Sequence, residues 1–509
     1  MITALILFFA VLILGWGFYR ARPLGKLGLL AWLQSVALMA PWLTFFGLFA
    51  VGVYLNLAGL LFLLLASIGL YIFLGKQLRA LAAEKNTTDP LPHLSSEPGE
   101  AASASHPATH PTASPAAHST STQPNLPASP QTAPASDLPT MPAEDVQTVK
   151  GIFGIDTFFA TETIPYQNGA IFKGNLRGEP DYSHQRLTDS LTQQMGDRYR
   201  LFLVEGVEEK PVVVVLPSAN DPKPSTVAQK ILALILAFVT VATSLEVAGL
   251  MQGFDFSNAP NRIAEVLPIG TGILAILGIH ELGHRLLARR YQIRLSPPFL
   301  IPTWQLGSFG ALMRFESLLP NRSVLFDIAF AGPAAGGLFS FGMLILGLLL
   351  STPGSFFQVP IEFFQGSILV GTLGRVVLGE AIQTELVAVH PLVILGWLGL
   401  VITAINVMPA GQLDGGRIVQ AIYGRKTAGR TTVATLIVLG LASLVNPLSL
   451  YWAIIILFLQ RDLERPALNE LTEPDDTRAA LGLLILFLMA ATLLPLTPSL
   501  AGRLGIGSS

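Results

Sequence analysis

Long apolar runs constrain this chain more than any other feature of its sequence. Several of them approach or exceed the ~20 residues that a helix needs to cross the hydrocarbon core of a bilayer. The 509 residues are 51% hydrophobic and only 13% charged, whereas soluble domains average about 25% charged residues. We therefore predict a multi-pass α-helical membrane protein with about ten spans.

The predicted spans form two groups, one within residues 1–80 and one within residues 223–500. The first group is interpreted as an N-terminal membrane module of about three spans, because its apolar runs contain almost no ionisable residues. No basic region precedes its first run, so we expect an anchor rather than a cleaved signal. Spans are predicted at Ile2–Phe18, at two places within Leu27–Leu74, and at Lys230–Leu250, Ile263–His284, Phe326–Leu350, Val387–Val407, Thr432–Val445, Leu448–Leu459 and Ala480–Leu494.

Lysine and arginine residues concentrate in alternate loops. They follow the first and third spans and the spans that end at His284 and Val407, and they precede the last span. Because cationic loops tend to stay in the cytoplasm, this bias puts the N-terminus outside and His284 near the cytoplasmic face. We expect an integral protein of a bacterial inner membrane or of a thylakoid-type membrane.

The segments outside the two groups have other compositions. Residues 81–142 are rich in Pro, Ser, Ala and Thr, which cannot bury a core, and predict a disordered linker. Residues 143–222 contain short apolar runs typical of a small α+β domain, which the loop charges place in the cytoplasm. A GNLRG run at residues 174–178 indicates only a glycine-flanked turn by its residue types. Residues 501–509 form a tail.

Net charge and cysteine content exclude several classes of protein. The formal net charge is −2, so nothing indicates a nucleic-acid partner. The chain has no cysteine, which excludes disulfides, thiolate nucleophiles and cysteine-ligated zinc. Any zinc site must therefore use histidine and carboxylate ligands.

A HELGH run, residues 280–284, ends one of the apolar runs. His280 and His284 lie four residues apart, so on a helix both imidazoles face the same side and can reach one ion. This is the HExxH arrangement, in which the two histidines bind zinc and the glutamate, here Glu281, acts as general base. Polar groups against an apolar run are costly without compensation, and a metal supplies it.

The third zinc ligand must come from elsewhere, since a catalytic zinc takes three protein ligands and leaves one position open. The candidate is Asp414 in the run NVMPAGQLDGG, residues 406–416. Its proline and glycines interrupt the end of a span, and irregular backbone at membrane depth is tolerated only where it lines a site or is buried in protein. Asn406 is a candidate to hydrogen-bond the scissile carbonyl, or else a helix-packing amide.

HELGH on a transmembrane helix, paired with the distant NVMPAGQLDGG, resembles the site-2 protease family of intramembrane zinc metalloproteases. The AGPAAG run at residues 331–336 is similar to the family's small-residue helix, although many relatives have Asn where this chain has Gly336 or Gly337. GNLRG and the His390-Pro391-Leu392 run resemble the EGY-like plastid and cyanobacterial branch. The resemblance covers about residues 145–497 and leaves out residues 1–80.

The resemblance implies one catalytic Zn²⁺ held by His280, His284 and Asp414, with Glu281 as the base. It implies hydrolysis of peptide bonds in or near transmembrane segments of membrane-anchored proteins, with the lipid bilayer as surroundings. Two alternatives stay open: a metal transporter whose ligands mark an ion path, and a catalytically silent membrane scaffold. The complete motif argues against the scaffold.

Residues 297–314 are rich in proline and glycine, which argues against helix. A helical substrate must unwind before hydrolysis, and an exposed strand edge can bind an unwound peptide. We therefore hypothesise that the stretch around Gly307, Phe309, Gly310 and Leu312 clamps the substrate as a strand; the alternative is a re-entrant packing loop.

Three further ionisable residues lie in the predicted spans. His390 precedes Asn406 by about 24 Å of helix, which favours a structural or gating role over zinc ligation. Glu246 and Asp327 are expected to pair internally rather than to take part in chemistry.

Overall fold

The computed structural model describes residues 14–50, 67, 70, 73–75, 77–78, 141–206, 210–444, 446–460 and 462–506. The chain divides into two compact units, Met1–Pro127 and Ala128–Ser509. In the first unit, a 3₁₀ turn, Arg22–Leu24, leads into helix α1, Gly25–Ala50. The predicted linker at 81–142 lies outside the described residues except for its last two positions, and most of the first predicted span does as well.

The second unit begins with a small α+β layer. Its helices are α2, Ala143–Ile152, and α3, Pro180–Met195; its strands are β1, Phe158–Tyr166, β2, Gly169–Leu176, β3, Tyr199–Glu205, and β4, Pro211–Pro217. The strands form one antiparallel sheet in the order β1-β2-β4-β3. Alternate residues along β3 are buried, such as Leu201 and Leu203, because successive side chains of a strand point to opposite faces. They pack on Leu187 and Leu191 of α3.

The rest of the second unit is mainly helical. Its helices are α4, Val227–Met251, α5, Ile263–Arg290, α6, Arg322–Leu350, α7, Glu362–Gln365, α8, Ile368–Leu378, α9, Pro391–Asn406, α10, Asp414–Ala442, α11, Pro447–Ile455, α12, Asp476–Leu493, and α13, Pro498–Leu504. Two antiparallel strand pairs accompany them. One is the hairpin of β5, Phe299–Thr303, and β6, Gly307–Leu312; in the other, β7, Phe357–Pro360, pairs with β8, Leu386–Val389, across α7 and α8.

Four helices of the described chain are long and apolar enough to cross a membrane: Val227–Met251, Pro260–Arg290, Arg322–Leu350 and Asp476–Leu493. They correspond to four of the predicted spans. Two other predicted spans differ in detail. Val387–Val407 begins with strand β8 before the 16 residues of α9, and the span predicted at Thr432–Val445 begins inside α10, which bends at Gly424 and ends at Ala442. The structure is thus a mostly helical membrane protein with small sheets, and about ten spans are not confirmed.

The loop between α11 and α12 links the α+β layer to the helices. In this loop the Leu468 carbonyl accepts a hydrogen bond from the Leu203 amide, and the Glu470 amide donates to the Leu203 carbonyl. Leu203 lies on β3, an edge strand, so the loop continues that side of the sheet with one parallel bridge to Asn469. The same Asn469 bridges to Asn321, the N-cap of α6.

Candidate metal centre

The two histidines of HELGH lie on α5, one turn apart. Their ring centroids are 5.0 Å apart, and the His280 and His284 side chains are only 12% and 3% exposed. α5 packs closely on α6 because Gly283 presents no side chain there; a Cβ at this position would overlap the Ala331 carbonyl. The predicted common face of the two imidazoles is therefore buried against α6.

Asp414 reaches the histidines from 134 residues away in the chain. It is the first residue of α10, after an irregular turn of residues 407–413. Gly415 and Gly416 make this turn possible, because a Cβ at either position would overlap a carbonyl oxygen of the same turn. Asp414 Oδ2 lies 3.1 Å from His280 Nε2 and 3.3 Å from His284 Nε2.

The three side chains fit a zinc ion by donor type and by spacing. One ligand atom of each lies within 4.8 Å of the others. Tetrahedral zinc, with bonds of about 2.0–2.1 Å, holds its ligand atoms about 3.3 Å apart. The measured 3.1 and 3.3 Å separations match this value. Two imidazoles and one carboxylate also leave a fourth position open, as in catalytic zinc sites.

A neighbouring carbonyl orients His284 for this task. Nδ1 of His284 donates to the Ile328 carbonyl at 2.7 Å, which leaves the Nε2 lone pair free to bind a metal. α6 supplies this carbonyl and two glycines that face the imidazoles. A Cβ at Gly332 would overlap His284 Nε2, and one at Gly336 would lie 2.9 Å from His280 Cβ. The small-residue run of α6 therefore makes room for the histidine pair.

Glu281 lies beside the cluster rather than in it. Its side chain is 13% exposed, and its Oε1 lies 2.8 Å from Arg285 Nη2 without hydrogen-bond alignment. Glu281, His280 and Asn406 line a small cavity of about 10 Å³, roughly the space of one water molecule. A water molecule in this cavity would contact both Glu281 and His280, one of the candidate metal ligands.

Residues 307–312 form strand β6, whose carbonyls are engaged by side chains. Asn406 Nδ2 donates to the Phe309 carbonyl at 2.9 Å and to its own helix at Ile402, and Thr243 Oγ1 donates to the Gly307 carbonyl at 2.7 Å. Gly307 and Gly310 have φ of 81° and 112°, which favour glycine. At Gly310 a Cβ would also overlap the Asn406 amide.

The side chains of β6 differ in their surroundings. Phe309 is 2% exposed and packs on Tyr451 and Trp452, with ring centroids 5.5 and 5.1 Å away, so its ring belongs to the core. Leu312 is half-buried at the end of the strand, opposite Phe299 of β5.

The other candidate residues lie apart from the cluster. His390 caps α9, its Nδ1 accepting from the Leu392 amide. Glu246 accepts from the Ser257 amide, and Asp327 accepts from Arg478 and from the Tyr291 hydroxyl. The GNLRG run contains the end of β2 and the start of the turn into α3. Its first residue, Gly174, lies in β2 against the Phe159 carbonyl of the neighbouring strand β1.

Arg417 was not identified from the sequence, although it lies on the first turn of α10. Its side chain is 1% exposed, among the largest fully buried side chains of the described chain. It pairs with Glu464 at 2.9 Å and donates to the Met313 carbonyl, just after β6, at 2.7 Å. The only sequence signal is an arginine three residues after Asp414; its partner is remote in the chain.

Comparisons with known proteins agree with this geometry. Residues 269–446 match the model of peptidase family M50, and residues 147–223 match that of the EGY3 middle domain. The "Probable zinc metalloprotease EGY2, chloroplastic" of Arabidopsis thaliana is 38% identical over 70% of this chain and 65% of its own length. The "Probable zinc metalloprotease EGY1, chloroplastic" of the same plant is 37% identical over 71% of this chain and 73% of its own length.

A third relative, "Probable zinc metallopeptidase EGY3, chloroplastic" of Arabidopsis thaliana, is 34% identical over 70% of this chain and 66% of its own length. The chain thus spans a little under two thirds of the EGY2 relative and somewhat more of EGY1. No solved structure matches the chain significantly. The M50 match lies over the histidine pair and Asp414, and the middle-domain match lies over the α+β layer, so the chain belongs to peptidase family M50, the site-2 protease family, in its EGY-like branch.

Proposed function

We propose that this protein is a zinc-dependent intramembrane endopeptidase that hydrolyses peptide bonds in or near transmembrane segments of membrane-anchored proteins. The observation that carries the proposal is the buried cluster of two imidazoles and one carboxylate at zinc-ligand spacing, with Glu281 at its side. The names of the relatives, which describe chloroplast zinc metalloproteases, support it.

In this proposal His280, His284 and Asp414 hold the zinc ion. A zinc ion held there would supply Lewis acidity, which would polarise the substrate carbonyl and lower the pKa of a water. Glu281 accepts the proton from the attacking water and returns it to the leaving amine. Its position in the small cavity next to His280 supports this role, and so does the low exposure, which strengthens its electrostatic interactions.

Strand β6 is proposed to hold the unwound substrate by adding it as a further strand. An incoming amide can replace the Asn406 amide at the Phe309 carbonyl. Asn406 is then free to donate to the scissile carbonyl. The same exchange can occur at the Gly307 carbonyl, which Thr243 now occupies. Because the Phe309 ring is buried, we assign binding to the backbone of Gly307, Phe309 and Gly310 and to the Leu312 side chain.

We further propose the organisation of the whole chain. Residues 1–80 form an N-terminal membrane module, 81–142 a linker, 143–222 a soluble domain, 223–500 the catalytic membrane domain and 501–509 a tail, with about ten spans altogether. The relatives are named chloroplastic, which supports a plastid-type or cyanobacterial membrane. Cationic loops next to α5 support a zinc site near the cytoplasmic or equivalent stromal face.

The test is Glu281→Gln in reconstituted full-length protein with a single-span substrate. We expect zinc content to stay and cleavage to fall by about 10²–10⁴-fold, the usual contribution of a general base. Glu265→Gln is the matched control, because it makes the same change at the other end of α5, in an exposed pair with Arg262. Undiminished cleavage by Glu281→Gln would refute the base assignment. Zinc flux into liposomes without any cleavage would favour a transporter instead.

A further inference from the structure

A large polar cleft lies at the N-terminal end of α4. Its volume is about 630 Å³, within the range of about 300–1,000 Å³ typical of ligand sites. Four parts of the chain line it: the segment from β4 to α4, residues 314–319 after β6, Gln412 in the turn before α10, and the loop after α11. None of these residues has a part in the chemistry described above.

The cleft is connected to the metal centre through Gln412, one of its lining residues. Gln412 precedes the ligand Asp414 by two positions, and its amide donates to the Gln460 carbonyl at 2.9 Å. Its side chain donates to the Leu463 carbonyl at 3.4 Å, in the loop that lines the cleft. The turn that carries the third ligand therefore also forms a wall of the cleft.

Strand β6 leads towards the cleft. The Gly307 end lies against Ser244 and Ile273, deep along α4 and α5. After the Leu312 end the chain continues directly into Arg314, which lines the cleft. A peptide laid along β6 and extended past Leu312 therefore enters the cleft.

The charges of the cleft favour an anionic occupant. Lys223, Arg314 and Arg465 line it as exposed cations, and none has a carboxylate within ion-pair distance among the described residues. Arg314 makes only a long hydrogen bond, 3.5 Å, from its guanidinium to the Ser225 hydroxyl. Arg465 makes one of 3.4 Å from its guanidinium to the Asn220 carbonyl.

Two of the three acidic side chains of the lining pair with arginines outside it. Asp221 pairs with Arg200 at 3.0 Å, and Glu464 pairs with the buried Arg417. The Glu316 carboxylate accepts hydrogen bonds from the Ser225 amide and hydroxyl and keeps its negative charge. The three cations outweigh this one carboxylate, so the lining is net positive.

We propose that this cleft binds an acidic, extended segment of the substrate that flanks the cleaved transmembrane span. The inference rests on the proposed function and adds a specificity determinant to it. Clusters of Arg and Lys are a recurrent means of reading acidic peptide motifs. An acidic flank held by Lys223, Arg314 and Arg465 places the next residues of the substrate along β6, in front of Glu281. A lipid headgroup would contact only the cations at the rim of the cleft. A peptide would also contact the wall formed by Gln412, which belongs to the same turn as Asp414.

The experiment compares single-span substrates that differ only in four flanking residues on the zinc side: all Glu, all Gln or all Lys. The full-length protein is reconstituted in neutral phosphatidylcholine vesicles. We expect a KM about tenfold lower for the Glu flank than for the Gln flank, since three exposed ion pairs contribute modestly each. The combined change Lys223→Glu, Arg314→Glu and Arg465→Glu should invert this order, favouring the Lys flank, while kcat on the Gln flank and zinc content stay unchanged.

The matched control reverses the same number of exposed cations outside the cleft, at Lys150, Arg177 and Arg289, and should keep the preference for Glu. If the reversal variant is unstable, the three Gln substitutions replace it and should abolish the preference. If cleavage does not depend on the flank, the proposed binding of acidic flanks in the cleft is refuted, while the proposed protease activity stands. A change that appears only when phosphatidylglycerol is added assigns the cations to lipid and also overturns the proposal.

Binding without turnover separates the two proposals. A fluorescent peptide carrying the Glu flank is titrated onto the Glu281→Gln protein, in which cleavage is expected to be at least about 100-fold slower. Binding that weakens with salt and is lost on charge reversal supports the cleft even if no substrate is ever cleaved, because screening weakens exposed charge pairs. Equal binding of the Glu and Lys peptides would refute it.

Discussion

Replacing Gly332 by alanine should empty the metal centre. The added Cβ would lie 2.1 Å from His284 Nε2, about 1.3 Å closer than the 3.4 Å at which ordinary contact begins, whereas zinc sites tolerate deviations in ligand distance of only about ±0.2 Å. α6 cannot move away from α5 without breaking the close packing of its Ala331 carbonyl on Gly283. His284 must therefore turn away, losing both its ligand position and its bond to Ile328.

The size of this effect follows from the number of ligands. Loss of one outer hydrogen-bond partner costs about 10–100-fold in metal affinity, so loss of one of three ligands should exceed about 100-fold. A competing fluorescent chelator measures the zinc affinity directly, and cleavage of a single-span substrate is measured in parallel. Alanine in a helix is intrinsically more stable than glycine by about 1 kcal/mol, so poor helix formation would not explain the loss.

Gly337→Ala is the control for this change. Gly337 lies on the same helix as Gly332, five residues later. A Cβ there would lie 3.5 Å from Thr403 Cγ2, which is an ordinary contact. We expect zinc affinity and cleavage close to those of the unsubstituted protein. If Gly332→Ala bound zinc as tightly as Gly337→Ala, the close packing of α6 on the histidine pair would not limit the site.

Two further changes test the surroundings of the site. Arg417→Met leaves Glu464 buried without its cation and should lower the free energy of unfolding by about 3–5 kcal/mol, measured by denaturant unfolding in detergent. Arg478→Met is the control and should lower it less, because the pair of Arg478 with Asp327 is more exposed. Equal losses in the two variants would contradict the burial argument. Leu312→Pro removes a backbone donor of β6 and should abolish cleavage with zinc content intact. Leu312→Ala is its control, because this change keeps the backbone donor and alters only the side chain. Unchanged turnover of the proline variant would refute the strand-clamp hypothesis.

The sequence predicted the elements that have a clear apolar pattern. Apolar length predicted α4, α5, α6 and α12, and short apolar runs predicted that residues 143–222 mix helices and strands. The pattern is weakest at strand β1, whose polar residues and exposed face hide the alternation. The prediction also extended α9 into strand β8, because a short apolar strand and an apolar helix look alike without their hydrogen-bond partners.

The metal centre likewise has a part that the local sequence predicts and a part that depends on residues remote in the chain. Helical spacing alone places His280 and His284 together, since four residues make about one turn. The approach of Asp414 depends on glycines that remove a side chain where two backbones meet, and the glycines of a sequence do not say which backbone each one meets. Arg417 shows the limit most clearly: its charge is buried because Glu464 and the Met313 carbonyl converge on it from two other segments. Through its hydrogen bond to the Met313 carbonyl, Arg417 ties α10, which begins with Asp414, to the end of β6, so that the proposed zinc ligand and the proposed substrate strand share one support.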